Sequence, residues 1–75
     1  MKKYILSIDQ GTSSTRAVIY NDKFKIIKIS RVPINQIYPA EGWVEQDPKQ
    51  IIQSVYKSIR LVIKHSKINA KSIIN

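Results

Sequence analysis

Two short apolar runs open the chain, Tyr4-Ile5-Leu6-Ser7-Ile8 and Ala17-Val18-Ile19-Tyr20, with a polar stretch between them. Runs of this length, rich in β-branched and aromatic residues, predict strands over residues 3–9 and 15–20. The first is nearly all apolar, the pattern of a central strand buried on both faces. Asn21-Asp22-Lys23 then makes a polar turn, an ordinary hairpin signal without the glycine of the strongest ones. Beyond it Phe24, Ile26, Lys28 and Ser30 alternate with Lys25, Ile27, Ile29 and Arg31. The alternation is imperfect and leaves the buried face open, but the residue types predict a third strand over 24–31. Three antiparallel strands in succession form a meander. Pro33 ends the third, and residues 32–46 form a long loop, of a length that usually carries function or packs as ordered surface.

The pattern changes period after Asp47. This residue stands before Pro48, which suits the first helical position, and Gln50 follows three residues later as in a capping box. Ile51, Ile52, Val55, Tyr56, Ile59, Val62 and Ile63 recur at helical spacing and predict one apolar stripe on a helix over 48–65. Lys49, Gln53, Lys57, Arg60, Lys64 and Lys67 fall on the opposite face. A basic amphipathic helix can lie on an anionic membrane, but a helix covering a sheet needs the same pattern, and packing on the sheet is expected. His65 falls near the helix C-terminus, where a cation is favoured. Residues 66–71 are polar and loop-like, with Ile68 as an anchor.

Composition narrows the function classes. A chain of 75 residues is one small domain, near the lower limit for a self-sufficient core. It has no cysteine and one histidine, so a disulfide framework and a zinc site are excluded. No apolar run reaches the roughly 18–20 residues of a membrane span. Asp9 and Gln10 interrupt the run after Met1-Lys2-Lys3 before it becomes a signal peptide, and a cytoplasmic protein with no membrane partner is expected. The net charge of +8 raises nucleic acid as a partner. The lysines are spread along the chain, however, rather than concentrated in one block, which argues against it. Glu41, Glu45 and Asp47 fit no standard metal-ligand spacing, and Trp43 is expected to anchor the long loop onto the sheet.

The candidate chemistry lies in the first turn, Asp9-Gln10-Gly11-Thr12-Ser13-Ser14-Thr15-Arg16. Gly11 lets the backbone approach an anion, and successive N–H groups of such a turn can converge as an anion-binding nest. Thr12, Ser13, Ser14 and Thr15 offer hydroxyls, and Arg16 adds a cationic fork. Asp9, at the strand end, suits Mg²⁺ held through water. Hydroxyl-rich turns that bind nothing are also common, so the residues alone leave both readings open. The chain has no G-x-x-x-x-G-K-[ST], and the turn is not a P-loop.

The string D-Q-G-T-S-S-T-R between two apolar strands resembles the first phosphate loop of the sugar-kinase family of the actin-like ATPase superfamily. Gln10 and Arg16 narrow the resemblance to the glycerol kinases. Gln36-Ile37-Tyr38-Pro39-Ala40-Glu41-Gly42-Trp43-Val44-Glu45-Gln46-Asp47-Pro48 is similar to the stretch that opens the first helix in that family; Glu41 stands for a usual proline and Gln46 for a usual histidine. The resemblance covers Met1 to Asn75.

It implies an α/β fold, the opening portion of a ribonuclease-H-like domain with three antiparallel strands and one packed helix. A fourth strand would pair in parallel with the first, and Ser72-Ile73-Ile74-Asn75 looks like its beginning; without it the first strand is an exposed, aggregation-prone edge. The resemblance also implies ATP and Mg²⁺ as cofactors. Thr12, Ser13 and Ser14, with Gly11, would contact the β- and γ-phosphates, Arg16 would balance their charge, and Asp9 would hold Mg²⁺ through water. The catalytic base and the glycerol contacts would lie beyond Asn75. The chain is then expected to be an incomplete N-terminal domain, inactive alone, whose partners are ATP/ADP phosphates and the remainder of the kinase.

Overall fold

The computed structural model describes residues 2–34 and 47–75. Three strands, β1 (Tyr4–Gln10), β2 (Ser14–Asn21) and β3 (Ile26–Pro33), are followed by a helix, α1 (Pro48–Ser66), and a short 3₁₀ turn, Ala70–Ser72. The strands form an antiparallel sheet in the order β1-β2-β3, and α1 packs across β2 and β3. The expectations for residues 35–46, Trp43, Glu41 and Glu45 among them, lie outside the described residues.

β2 sits in the middle and is the buried strand. Its residues Thr15, Ala17, Val18 and Ile19 are all buried, whereas β1 is only half-buried and exposes its end from Ile8 to Gln10. Among these three strands β1 is the edge, as expected where only the start of a fourth strand is present to pair with it. Alternate residues of β2 point to opposite faces. Thr15, Ala17 and Ile19 lie in register with Val32, Ser30 and Lys28 of β3, and Ala17 and Ile19 with Ile8 and Leu6 of β1. Ala17 and Ile19 meet Val62 of α1, and Tyr4, Leu6, Ile63 and Ile68 close around them. Burying Ile19 alone contributes about 1.5–3 kcal/mol.

The third strand starts at Ile26 rather than 24, and a register shift falls between Ile19 and Tyr20. Tyr20 pairs with Ile26 and Ile19 with Lys28, so Ile27 is the extra residue of a bulge. A bulge resets which side chains face which way. Ile26 and Ile29 consequently share the outer face, and this is why simple alternation fails along the segment.

The helix begins as its sequence indicates. Asp47 caps it, accepting a bond of 2.9 Å from the Lys49 backbone N–H, with Pro48 at the first position. Lys67 ends it in the left-handed conformation, its N–H bonded to the Ile63 carbonyl, and Lys64 and His65 stand in the last turn. The buried face is displaced from the expected stripe. Ser54, Ser58 and Val62 form its buried centre line, flanked by the half-buried Ile51, Val55, Ile59 and Ile63. Ile52 and Tyr56 are 54% and 63% exposed. Serine is small enough to bring a helix close to a sheet, and here each hydroxyl is satisfied within its own helix. Ser54 donates to the Ile51 carbonyl at 2.6 Å and Ser58 to the Val55 carbonyl at 2.9 Å.

The last residues turn back to β1. Ile73 pairs in parallel with Tyr4, and the Ile74 N–H bonds the Tyr4 carbonyl at 3.0 Å. The Asn75 side chain then acts as a peptide group would: its oxygen accepts from the Leu6 N–H at 3.0 Å and its amide donates to the Leu6 carbonyl. The parallel pairing expected of Ser72–Asn75 is thus present at its first rung.

Candidate phosphate-binding site

The β1–β2 hairpin places the candidate residues at one end of the sheet. Gln10 and Thr15 are the last pair, and Gly11, Thr12 and Ser13 form the exposed connection. The Gly11 N–H closes the loop onto the Ser14 carbonyl at 2.8 Å. The Gln10 side chain braces it by donating to the Gly11 carbonyl at 2.9 Å. The Ser13 carbonyl accepts from the Ile34 N–H at 2.8 Å, which ties the loop to the end of β3. The loop is therefore held in shape before any ligand arrives.

Within this frame the Gly11 N–H is already used, which removes it from the nest that the sequence suggests. A Cβ at position 11 would stand 3.4 Å from the Ser14 carbonyl oxygen, and the backbone there lies outside the left-handed region. The backbone of the turn does not itself require glycine, and a side chain there would stand close against the Ser14 carbonyl. The hydroxyls of Ser13 and Ser14 make no hydrogen bond to other described residues, and Ser13 is exposed. Thr12 is exposed beside them.

Thr15 does not join that set. It points inward, is fully buried, and its hydroxyl lies 2.7 Å from the Ser54 hydroxyl on α1. Because Ser54 gives its proton to the Ile51 carbonyl, Thr15 is the donor. This bond fixes the root of the loop to the helix and takes the Thr15 hydroxyl out of the set that faces a ligand.

Asp9 and Arg16 face each other across β1 and β2 on the outer side of the sheet. The Arg16 Nη2 donates to the Asp9 carboxylate at 2.9 Å, with the arginine side chain 42% and the aspartate side chain 65% exposed. An exposed pair of this kind contributes little stability. Its interest lies in the groups it leaves available. The Arg16 Nε is buried and has no hydrogen-bond partner among the described residues, and Asp9 keeps a second oxygen. In the same row, directly opposite Arg16 on β3, stands Arg31, exposed. Like charges facing across a sheet repel, and an anion over the row relieves that repulsion.

Arg31 is not among the residues the sequence singles out. A turn confined to Asn21–Lys23 would pair Tyr20 with Phe24 and put Lys28 opposite Arg16. The longer turn and the bulge at Ile27 bring Arg31 there instead.

The fit of Mg²⁺ can be judged from the donors. Among the described residues no group of three or more carboxylates or histidines is placed to hold a metal. Asp9 is a single carboxylate, already paired with an arginine. Mg²⁺ is commonly held by one or two carboxylates, waters and substrate phosphates together. Asp9 fits that arrangement with a polyphosphate present, and does not fit a site for the bare ion.

The chain is similar to known proteins in sequence and in fold. The model of the FGGY family of carbohydrate kinases, N-terminal domain, matches residues 4–75. The glycerol kinase of Clostridium perfringens strain 13 is 45% identical over 73 residues, which is 97% of this chain and 15% of that protein. The glycerol kinase of Xylella fastidiosa strain M23 is 43% identical over 72 residues, 96% of this chain and 14% of its own. Among solved structures, Plasmodium falciparum glycerol kinase with ADP superposes with a TM-score of 0.82 at 33% identity, covering 97% of this chain and 14% of that one. Gluconate kinase from Lactobacillus acidophilus gives 0.84 at 30% identity, covering 93% and 14%. The chain thus spans about one-seventh of the length of these relatives. With its β-meander, capped helix and D-Q-G-T loop at the sheet end, it belongs to the FGGY family of carbohydrate kinases and corresponds to the beginning of their N-terminal domain.

Proposed function

We propose that this chain is the N-terminal, phosphate-loop-bearing piece of an ATP-dependent glycerol kinase, which converts glycerol and ATP to glycerol 3-phosphate and ADP. The observation that carries the reading is the braced Gly11–Ser14 loop, exposed from Gly11 to Ser13, with Asp9, Arg16 and Arg31 in one row beside it. Phosphoryl transfer is mainly positioning and charge neutralisation, and these residues suit the second task. Ser13, Ser14 and Thr12 would donate to the β- and γ-phosphates, beside Gly11. Arg16 would turn its Nε–H toward them, and Arg31 would add a second positive charge. Asp9 would orient waters of the Mg²⁺ carried by the nucleotide, an ion that neutralises charge on the phosphates.

The general base and the glycerol contacts would come from the remaining length of the enzyme, so the chain by itself is inactive. The reading carries a cytoplasmic location with it; among the described residues no helix is long and apolar enough to cross a membrane. A piece of a kinase for a related sugar or sugar acid is the second reading, favoured by the likeness to gluconate kinase.

The test is a paired assay on the purified chain, free of host kinase. MgATP should bind, as heat in a calorimetric titration, and no glycerol phosphate should form. An enzyme-like rate would overturn the inactive-piece reading, and absence of heat from a folded sample would overturn the phosphate loop.

A further inference from the structure

The opposite end of the sheet carries a different device. In the β2–β3 turn the Phe24 N–H bonds the Asn21 carbonyl at 3.0 Å, and the Asn21 N–H bonds the Lys25 carbonyl at 2.9 Å. The Asn21 side-chain oxygen also accepts from the Lys23 and Lys25 N–H groups, at 2.9 and 3.0 Å. This is a closed, rigid turn whose fourth residue must be left-handed, a position that glycine or asparagine ordinarily fills. Here it holds Phe24, at φ 60°, and the ring is 75% exposed. A bulky residue in that region is an outlier and costs about 1–2 kcal/mol. Neither the core nor the phosphate loop gains anything from it.

Around the ring the surface is basic and apolar. Lys23 and Lys25 flank it in sequence, and Lys2, Lys3 and Lys23 line an open cavity of about 370 Å³ with Asp22. Ile26 and Ile27 are also exposed just behind the turn. We propose that this end is a peripheral docking site for an anionic lipid surface, with Phe24 entering the interface and the lysines contacting headgroup phosphates.

Charge complementarity and shape choose this occupant. Four lysines against one aspartate call for a negative surface. The exposed apolar side chains, Phe24, Ile26 and Ile27, belong to one short turn and its flank, whereas a stable protein partner needs an interface of roughly 1,000 Å² or more. Single-stranded nucleic acid is held by several aromatics in a basic groove, and here, among the described residues, Phe24 is the one exposed ring beside these lysines, with Tyr4 half-buried in the cavity wall. The basic face of α1 takes no part, and the proposal does not depend on the kinase reading.

The experiment is co-sedimentation of the full chain with vesicles of phosphatidylserine in phosphatidylcholine, and with phosphatidylcholine alone. The chain should bind the first and not the second. Phe24→Gly puts the favoured residue in the left-handed position, so it should fold at least as well as the parent while losing about tenfold or more of the vesicle affinity. Lys23→Gln and Lys25→Gln should each weaken binding about fivefold, whereas Lys49→Gln and Lys57→Gln on the helix should leave it nearly unchanged. Binding that is equal on neutral vesicles, insensitive to Phe24→Gly, or as sensitive to the helix lysines would overturn the proposal. So would a tip that engages single-stranded DNA or an acidic protein and not lipid.

Discussion

The two hairpin turns use glycine and its absence in opposite senses. The β1–β2 loop contains Gly11 but holds it outside the left-handed region; the β2–β3 turn requires a left-handed residue and fills the position with Phe24. If turn stability alone chose these residues, the glycine would sit at position 24. It stands instead at 11, in the loop that carries Ser13 and Ser14 beside the row of Arg16 and Arg31. Its absence at 24 keeps an aromatic ring in solvent at a conformational cost. On the proposed readings each departure from ordinary turn chemistry marks a surface with a task, and the tasks differ: one end would receive phosphates, the other would present a ring and lysines.

Both turns hang from β2, and the harshest way to break the comparison is to weaken that strand. Ile19→Ala should cost about 2–5 kcal/mol, enough to unfold a chain of this size, seen as loss of amide dispersion with both ends affected together. Thr15→Val is more selective. It removes the donor to Ser54 while keeping the shape, and should lower stability by about 1–3 kcal/mol in urea denaturation, loosening the first loop and sparing the second. Phe24→Gly should act in the other direction and raise stability by about 1 kcal/mol, moving the urea midpoint upward. Gly11→Ala is the finest probe. Its effect on stability should stay within about 1 kcal/mol, yet the added methyl should markedly weaken MgATP binding; unchanged binding would mean that the surface at Gly11 serves no ligand.

The parts of this molecule that were legible in the sequence are those set by local chemistry. Asp47-Pro48 announced the helix start, the three apolar runs announced the strands, and the D-Q-G-T string announced the loop. Register was not legible. The left-handed Phe24 and the bulge at Ile27 lengthen the turn in a way no single residue type signals, and this hid the partnership of Arg16 with Arg31. The buried face of the helix was displaced for a related reason. Ser54 and Ser58 read as polar, but serines that bond their own helix carbonyls pass as small core residues, and their spacing of four with Val62 was the available clue. Thr15 was grouped with the loop hydroxyls because sequence adjacency does not show that alternate strand residues face opposite sides. Asp9 and Arg16 were each given a separate role, and only the strand pairing shows that they meet.

The central claim is that the Gly11–Ser14 loop, with the Asp9–Arg16 pair beside it, receives phosphates. The most direct test is to follow the backbone amides and the Arg16 Nε–H of the labelled chain by NMR while MgATP is added. Shifts should concentrate at Gly11 through Ser14 and at Arg16 Nε–H, weaken without Mg²⁺, and leave residues 21–25 still; Mg²⁺ alone should move nothing. A folded chain whose loop amides stay fixed at saturating MgATP, or whose shifts gather at the Phe24 turn instead, would contradict the account.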